Sequence, residues 1–169
     1  MRFLVLSLLL ALTMQTTSAA PAPVPQPADM FDFWVGDWQV SWKNADGSAG
    51  RAHNHVSRIL DGKVIEEQFE ADPAGPAPLL RGRSLSVRDN AGLWHQAWAD
   101  NQGGFFSLTA SADGDKRIFA TALTPAGDQV KGQRMVFHHI THDAFTWDWE
   151  GTTDGGKTWK LLWQLDYKR

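Results

Sequence analysis

Glu67 stands between Ile65 and Phe69 in a run of alternating apolar and polar residues, so its carboxyl shares a strand face with two apolar side chains. Arg83 and Gln96 occupy comparable positions further along. Segment 131–141 brings Arg134, His138 and His139, but it alternates either way: Met135-Phe137-His139 and Arg134-Val136-His138-Ile140 both make an inward face. A buried Arg beside a His or Glu forms an anion-binding or acid–base constellation, which makes His138 and Glu67 the candidate proton carriers. A structural Arg–Glu pair accounts for the same residues without any activity. His53-x-His55 puts two imidazoles on one strand face, a spacing that can chelate Zn²⁺ or Cu²⁺, and His138-His139-x-x-His142 offers a third ligand. With no fixed carboxylate or Cys beside them, His53 and His55 are more simply a solvated strand face. Ser84 and Ser86 lie in no nucleophile-elbow context, and no Ser-His-Asp spacing is recognisable. Asp154-Gly155-Gly156 has one carboxylate where calcium needs several, and reads as a turn.

Composition narrows the classes further. The 169 residues carry 16 Lys+Arg against 19 Asp+Glu, so a formal charge of −3 supplies no basic footprint for nucleic acid. The absence of cysteine removes disulfides, Cys-ligated zinc, iron–sulfur clusters and thiol nucleophiles. It also removes a lipobox and the C-x-x-C-H attachment of covalent haem. Met1-Arg2, the apolar run Phe3–Met14 and the small, polar stretch to Ala20 have the layout of a secretory signal peptide cleaved near Ala19. The run is too short for a stable membrane anchor. The expected organisation is a signal peptide over 1–19, a stiff Pro-rich leader over 20–28 and one secreted or periplasmic domain over 29–169.

The elements that must position these side chains are strands. Turn signals recur at Asp46-Gly47, Asp61-Gly62, Asn90-Ala91-Gly92, Asp113-Gly114 and Ala126-Gly127-Asp128, with period-two alternation between them. They delimit ten strands: 37–43, 51–59, 63–70, 82–89, 93–99, 104–111, 116–124, 131–141, 144–151 and 157–168. Asp29 to Val35 is the one helical stretch, a single turn. Ten short antiparallel strands joined by tight turns predict an all-β up-and-down barrel, whose closure removes exposed edges, and an open two-sheet sandwich is the alternative.

Phe33-Trp34-Val35-Gly36-Asp37-Trp38 contains the G-x-W signature of lipocalins and related calycin barrels. Together with the closing stretch Asp154-Gly155-Gly156-Lys157-Thr158-Trp159, Trp163 and Tyr167-Lys168-Arg169, it makes residues 30–169 resemble a bacterial family of secreted, lipocalin-like proteins of unknown function. The resemblance implies a barrel with Trp38 plugging one end, a basic residue, here Arg169, lying across it, and a cavity; distant relatives carry haem or fatty acids. If Trp38 points inward, parity turns Trp42, Trp94, Trp98, Trp147, Trp149, Trp159, Trp163 and Tyr167 inward as well. Such walls suit a small hydrophobic or aromatic molecule, or else simply fill the barrel. The expected ligand-binding set is Trp42, Gln96, Trp98, Arg134, His138, Trp147, Trp149, Trp163 and Tyr167. No cofactor is expected, haem being the alternative because its iron needs only one axial imidazole. The functional readings are an exported binding barrel, a cofactor-free isomerase, lyase or cyclase using His138 and Glu67, and a plugged structural barrel. An even spread of charge leaves the oligomeric state open.

Overall fold

A computed structural model describes residues 24–73 and 79–169. The signal-peptide segment therefore lies outside the described residues. A 3-10 turn (Asp32–Trp34) precedes eleven strands: β1 (Gly36–Lys43), β2 (Ala49–Ile59), β3 (Val64–Ala71), β4 (Arg81–Arg88), β5 (Trp94–Asp100), β6 (Phe105–Asp113), β7 (Lys116–Ala120), β8 (Thr124–Ala126), β9 (Gln129–His138), β10 (Ala144–Thr152) and β11 (Lys160–Lys168).

Antiparallel pairs join β1 to β7 in chain order, then β7 to β9, β9 to β10, β10 to β11 and β11 back to β1. The ring closes a ten-stranded antiparallel barrel of the lipocalin-like kind, not an open sandwich. The small β8 lies outside the ring, paired with the start of β9. The expected strand 116–124 is thus split, and Pro125, which has no N–H to donate, falls in this short edge element. The last strand starts at Lys160 because the residues before it form a turn. There the Asp154 carboxylate accepts hydrogen bonds from the Thr158 hydroxyl and amide and from the Thr152 hydroxyl, which hold its pKa well below the usual carboxylate range.

Alternation along the strands separates the two faces. On β2, Ala52, Asn54 and Val56 are buried while Arg51, His53 and His55 are exposed. On β3, Ile65, Glu67 and Phe69 form the buried set. One half of the barrel is filled solid. Phe31, with no exposed surface, stacks on Phe119 at a ring-centroid distance of 4.4 Å and meets Trp94 edge-on at 5.5 Å. Trp38 is edge-on to Phe145 at 4.8 Å and donates its indole N–H to the Trp34 carbonyl at 2.8 Å. Docking of the chain begins before Asp29. The Gln26 amide donates to the Gly92 carbonyl, the Gln26 side-chain carbonyl accepts from the Trp94 amide, and the Trp94 indole N–H donates to the Pro27 carbonyl.

Arg169 completes this closed end, its guanidinium 4.3 Å from the Trp38 ring centroid while donating to the carbonyls of Phe33 and Val35. Gly36 leaves room for it. Its φ of +146° is open to glycine, and a Cβ there would fall 2.8 Å from Arg169 Nη1. Gly36→Ala is expected to lower unfolding stability by about 1–3 kcal/mol through backbone strain and the displaced guanidinium. Part of that loss should vanish in an Arg169→Ala background, so a double-mutant cycle by denaturant unfolding reads the coupling.

Candidate functional site

The other half of the barrel is open. A cavity of about 140 Å³ lies among Phe69, Leu80, Trp98, Phe106, Met135, Trp147, Trp149, Trp163 and Leu165, with Glu67, Tyr167 and Asp100 as its polar lining. Cross-strand register puts these rings together: Trp149 faces Trp163 across β10 and β11, and Trp98 faces Phe106 across β5 and β6. Trp147 and Trp149 lie parallel at 6.1 Å, Trp147 and Trp163 are edge-on at 6.1 Å, and Phe106 meets Trp149 at 5.0 Å. Trp42 stands behind Trp163, edge-on at 5.2 Å, with its indole N–H on Asn44 Oδ1.

Glycines make space for these rings. Trp98 lies over Gly82 so closely that a Cβ would come within 2.0 Å of two ring carbons. Trp42 covers Gly50 in the same way, also at 2.0 Å. Gly82→Ala is therefore expected to drive Trp98 from its rotamer and to weaken binding in the cavity at least about tenfold while the barrel stays folded. Ligand titration alongside a far-UV spectrum checks both halves of that expectation.

A buried polar network runs from the cavity lining into the wall. Glu67 Oε1 accepts from Asn54 Nδ2 at 2.8 Å and Oε2 from the Ser84 hydroxyl at 2.7 Å. Asn54 Nδ2 also reaches the Tyr167 hydroxyl at 3.3 Å, and Gln96 Nε2 donates to the hydroxyls of Ser84 and Ser86 at 3.3 and 3.0 Å. Burial pushes the Glu67 carboxyl up to about 7, against the lowering pull of Ser84, Asn54 and the Arg83 charge. The Tyr167 phenol is pushed well up by burial and by the Glu67 charge. At Asp100 burial also raises the pKa, but bonds from the Trp98 indole and the amides of Gly104 and Gln102 outweigh it and hold the carboxyl below its ordinary value.

Trp98, Trp147, Trp149, Trp163, Tyr167 and Glu67 line the cavity; Gln96 lies behind it in the wall, and Trp42 backs one of its rings. Arg134 and His138 belong to the outer surface, a correction to the expected set. Met135 and Phe137 take the inward positions of β9, which leaves the half-buried Arg134 and His138 on the other side of the strand. There Arg134 pairs with Glu150 at 2.5 Å and His138 Nε2 with Asp148 at 2.9 Å, the polar residues that alternate with Trp147 and Trp149 on β10. His138 and Glu67 thus stand on opposite sides of the wall and share no proton path. Arg83 faces out likewise, donating to its neighbour's carbonyl at Gly82.

Trp159 is a second correction. A register shift between Trp149 and Glu150 breaks the parity that linked it to Trp163. Its ring lies in the turn beneath the Arg134 guanidinium at 4.2 Å, with its indole N–H on the Gly156 carbonyl. His53 and His55 face solvent beside Asp72 and Asp37, and no group of three or more His, Cys, Asp or Glu fit for a metal occurs among the described residues.

Asn54 and Asp100 are site residues absent from the expected set, and Ser84, set aside above as a nucleophile, serves as a hydrogen-bond donor to Glu67. Asn54 was legible as the inward neighbour of His53 and His55, and Ser84 as the inward partner of Gly82 and Ser86. Asp100 carried no such signal, because its place follows from the Trp98 indole that it holds. The chain matches no family model and no curated protein; its likeness to lipocalin-like barrels is one of fold, the closed antiparallel barrel.

Proposed function

We propose that this protein is an exported small-molecule-binding barrel whose ligand is a flat, apolar body of about one aromatic ring. One observation carries the reading: aromatic side chains fill one half of the barrel solidly, while a second set stands apart in the other half, around about 140 Å³ of open space. A cavity of that size, lined by apolar side chains, is of the volume that holds a benzene-sized molecule. The Trp rings present faces and edges for stacking, and Trp98 keeps its polar N–H committed to Asp100. Export rests on the apolar N-terminal run and the small residues before Ala20. Haem fits poorly: the lining offers no imidazole, and the space is too small for a macrocycle.

The test is a toluene titration followed through the indole N–H resonances of the nine tryptophans. Binding in the cavity shifts the signals of Trp98, Trp147, Trp149 and Trp163 and leaves those of the closed end, Trp34, Trp38 and Trp94, in place. Shifts confined to Trp159, or none at all, would overturn the reading.

Acid–base catalysis is the second reading, favoured by one feature: a buried carboxyl at the cavity with its pKa pushed up to about 7, the range suited to a general acid or base near neutral pH. Glu67 with the Tyr167 hydroxyl is then the working pair. A natural ligand recovered chemically unchanged after prolonged incubation favours binding; conversion that is lost in Glu67→Gln favours catalysis.

A further inference from the structure

We infer that the cavity selects small organic cations, arylalkylamines whose ammonium N–H groups face Glu67 while the ring stacks among the tryptophans. This rests on the binding reading above and names the chemistry of the ligand it takes.

The lining itself carries the argument. It contains two carboxylates, Glu67 and Asp100, four tryptophans, and no Lys, Arg or His. Indole faces carry the strongest negative quadrupole among the aromatic side chains, so several of them around one space form a cage for positive charge. An anion placed there would meet the same faces and both acids without a compensating cation.

Hydrogen-bond accounting points the same way. Each Glu67 oxygen accepts one bond from the protein, which leaves lone pairs on both for a ligand donor. Behind them the wall already has more acceptors than donors: Asn54 Oδ1 and Gln96 Oε1 are buried without any partner. The donors beside this surplus are the Tyr167 hydroxyl, whose oxygen already accepts from Asn54, and the indole N–H groups of Trp147, Trp149 and Trp163, none of which can offset the charge of the two acids. A ligand ending in N–H donors satisfies the free lone pairs of Glu67, whereas a carboxylate placed there would set its charge against those of Glu67 and Asp100. Asp100 stays ionised because the Trp98 indole and two backbone amides hold it, so its charge adds to the attraction for a cation.

The experiment is a calorimetric titration at pH 8 with three molecules of one size: benzylammonium, ethylbenzene, which carries a methyl in place of the ammonium, and benzoate. Benzylammonium is expected to bind at least about tenfold tighter than ethylbenzene, with benzoate weaker than either. Glu67→Gln, which keeps size and shape, should bring benzylammonium down to the ethylbenzene level and leave ethylbenzene unchanged. Benzoate binding as tightly as benzylammonium would overturn the inference, as would a preference for the amine that survives both Glu67→Gln and Asp100→Asn. If ethylbenzene binds but the amine has no advantage, cation selectivity fails and the binding reading stands. If none of the three binds, the binding reading itself fails. Thermal unfolding of each variant shows that a lost affinity is not a lost fold.

Discussion

Glu67→Gln should make the barrel more stable at alkaline pH, with the gap between variant and parent widening by about 3 kcal/mol from acid to alkaline conditions. The folded carboxyl titrates at about 7 and an ordinary one at 4.5. Below 4.5 both folded and unfolded chains hold the proton, and Glu67 contributes nothing to the pH dependence. As the pH rises through the interval, the unfolded chain releases its proton while the folded one retains it, so stability drains away. Above about 7 both states have lost the proton and the penalty is complete. The glutamine has no charge to bury, so this contribution is absent from its stability across the same window. In acid the variant gains nothing, because the protonated carboxyl and the amide are both neutral and each turns one donor-bearing end toward Ser84 or Asn54. Urea unfolding of both proteins across the pH range reads the divergence directly. Parallel stability curves would show that Glu67 titrates as an ordinary exposed acid and is not buried at the cavity lining as described above.

Phe31→Ala is expected to cost about 3–5 kcal/mol, among the largest losses of any single replacement in the chain. The ring is wholly buried, stacked on Phe119 at 4.4 Å, edge-on to Trp94 at 5.5 Å and Phe137 at 6.1 Å. It also carries the backbone carbonyl that accepts from the Trp34 amide in the 3-10 turn. Truncation leaves a void at the centre of the closed end, bounded by strands that hydrogen bonding holds apart, so the site cannot collapse to fill it. Phe105→Ala is the control, since Phe105 is 69% exposed and its loss should fall within about 0.5 kcal/mol. Guanidinium unfolding compares the two. A loss under about 1 kcal/mol for Phe31→Ala would mean that residues 29–35 rest on the barrel without plugging it.

The two replacements probe two halves of one barrel that period-two alternation alone does not tell apart. Alternation places a side chain inside or outside the barrel wall, and on that count Trp38, Trp98, Trp147, Trp149, Trp163 and Tyr167 are legible in the sequence. It is silent about depth along the axis, so it could not separate Trp94, packed under Pro27 in the plug, from Trp98, which lines open space. Arg134 and His138 were misplaced because segment 131–141 alternates equally well in either phase. What settles the phase is the neighbouring strand: Trp147 and Trp149 point inward, and antiparallel pairing then brings Phe137 and Met135 in beside them. The polar residues Asp148 and Glu150 meet His138 and Arg134 on the outer face for the same reason. Trp159 escaped because one register shift cancels parity beyond it, and nothing in the alternation of 159–167 marks that shift. Space is the property furthest from the sequence. Gly50 and Gly82 let Trp42 and Trp98 lie flat against the wall, and a reading that treats glycine as a turn residue overlooks this use inside a strand.

The central claim is that the Trp-lined half of the barrel is an open ligand site. Crystals of the protein soaked with bromobenzene test it most directly, because the anomalous signal of bromine locates the ligand without reference to the surrounding density. The account predicts one strong peak inside the barrel, among Trp98, Trp147, Trp149 and Trp163 and within van der Waals reach of Phe106, together with its disappearance in Gly82→Ala. A barrel interior without bromine, or bromine confined to the outer surface beside Trp159, would contradict it.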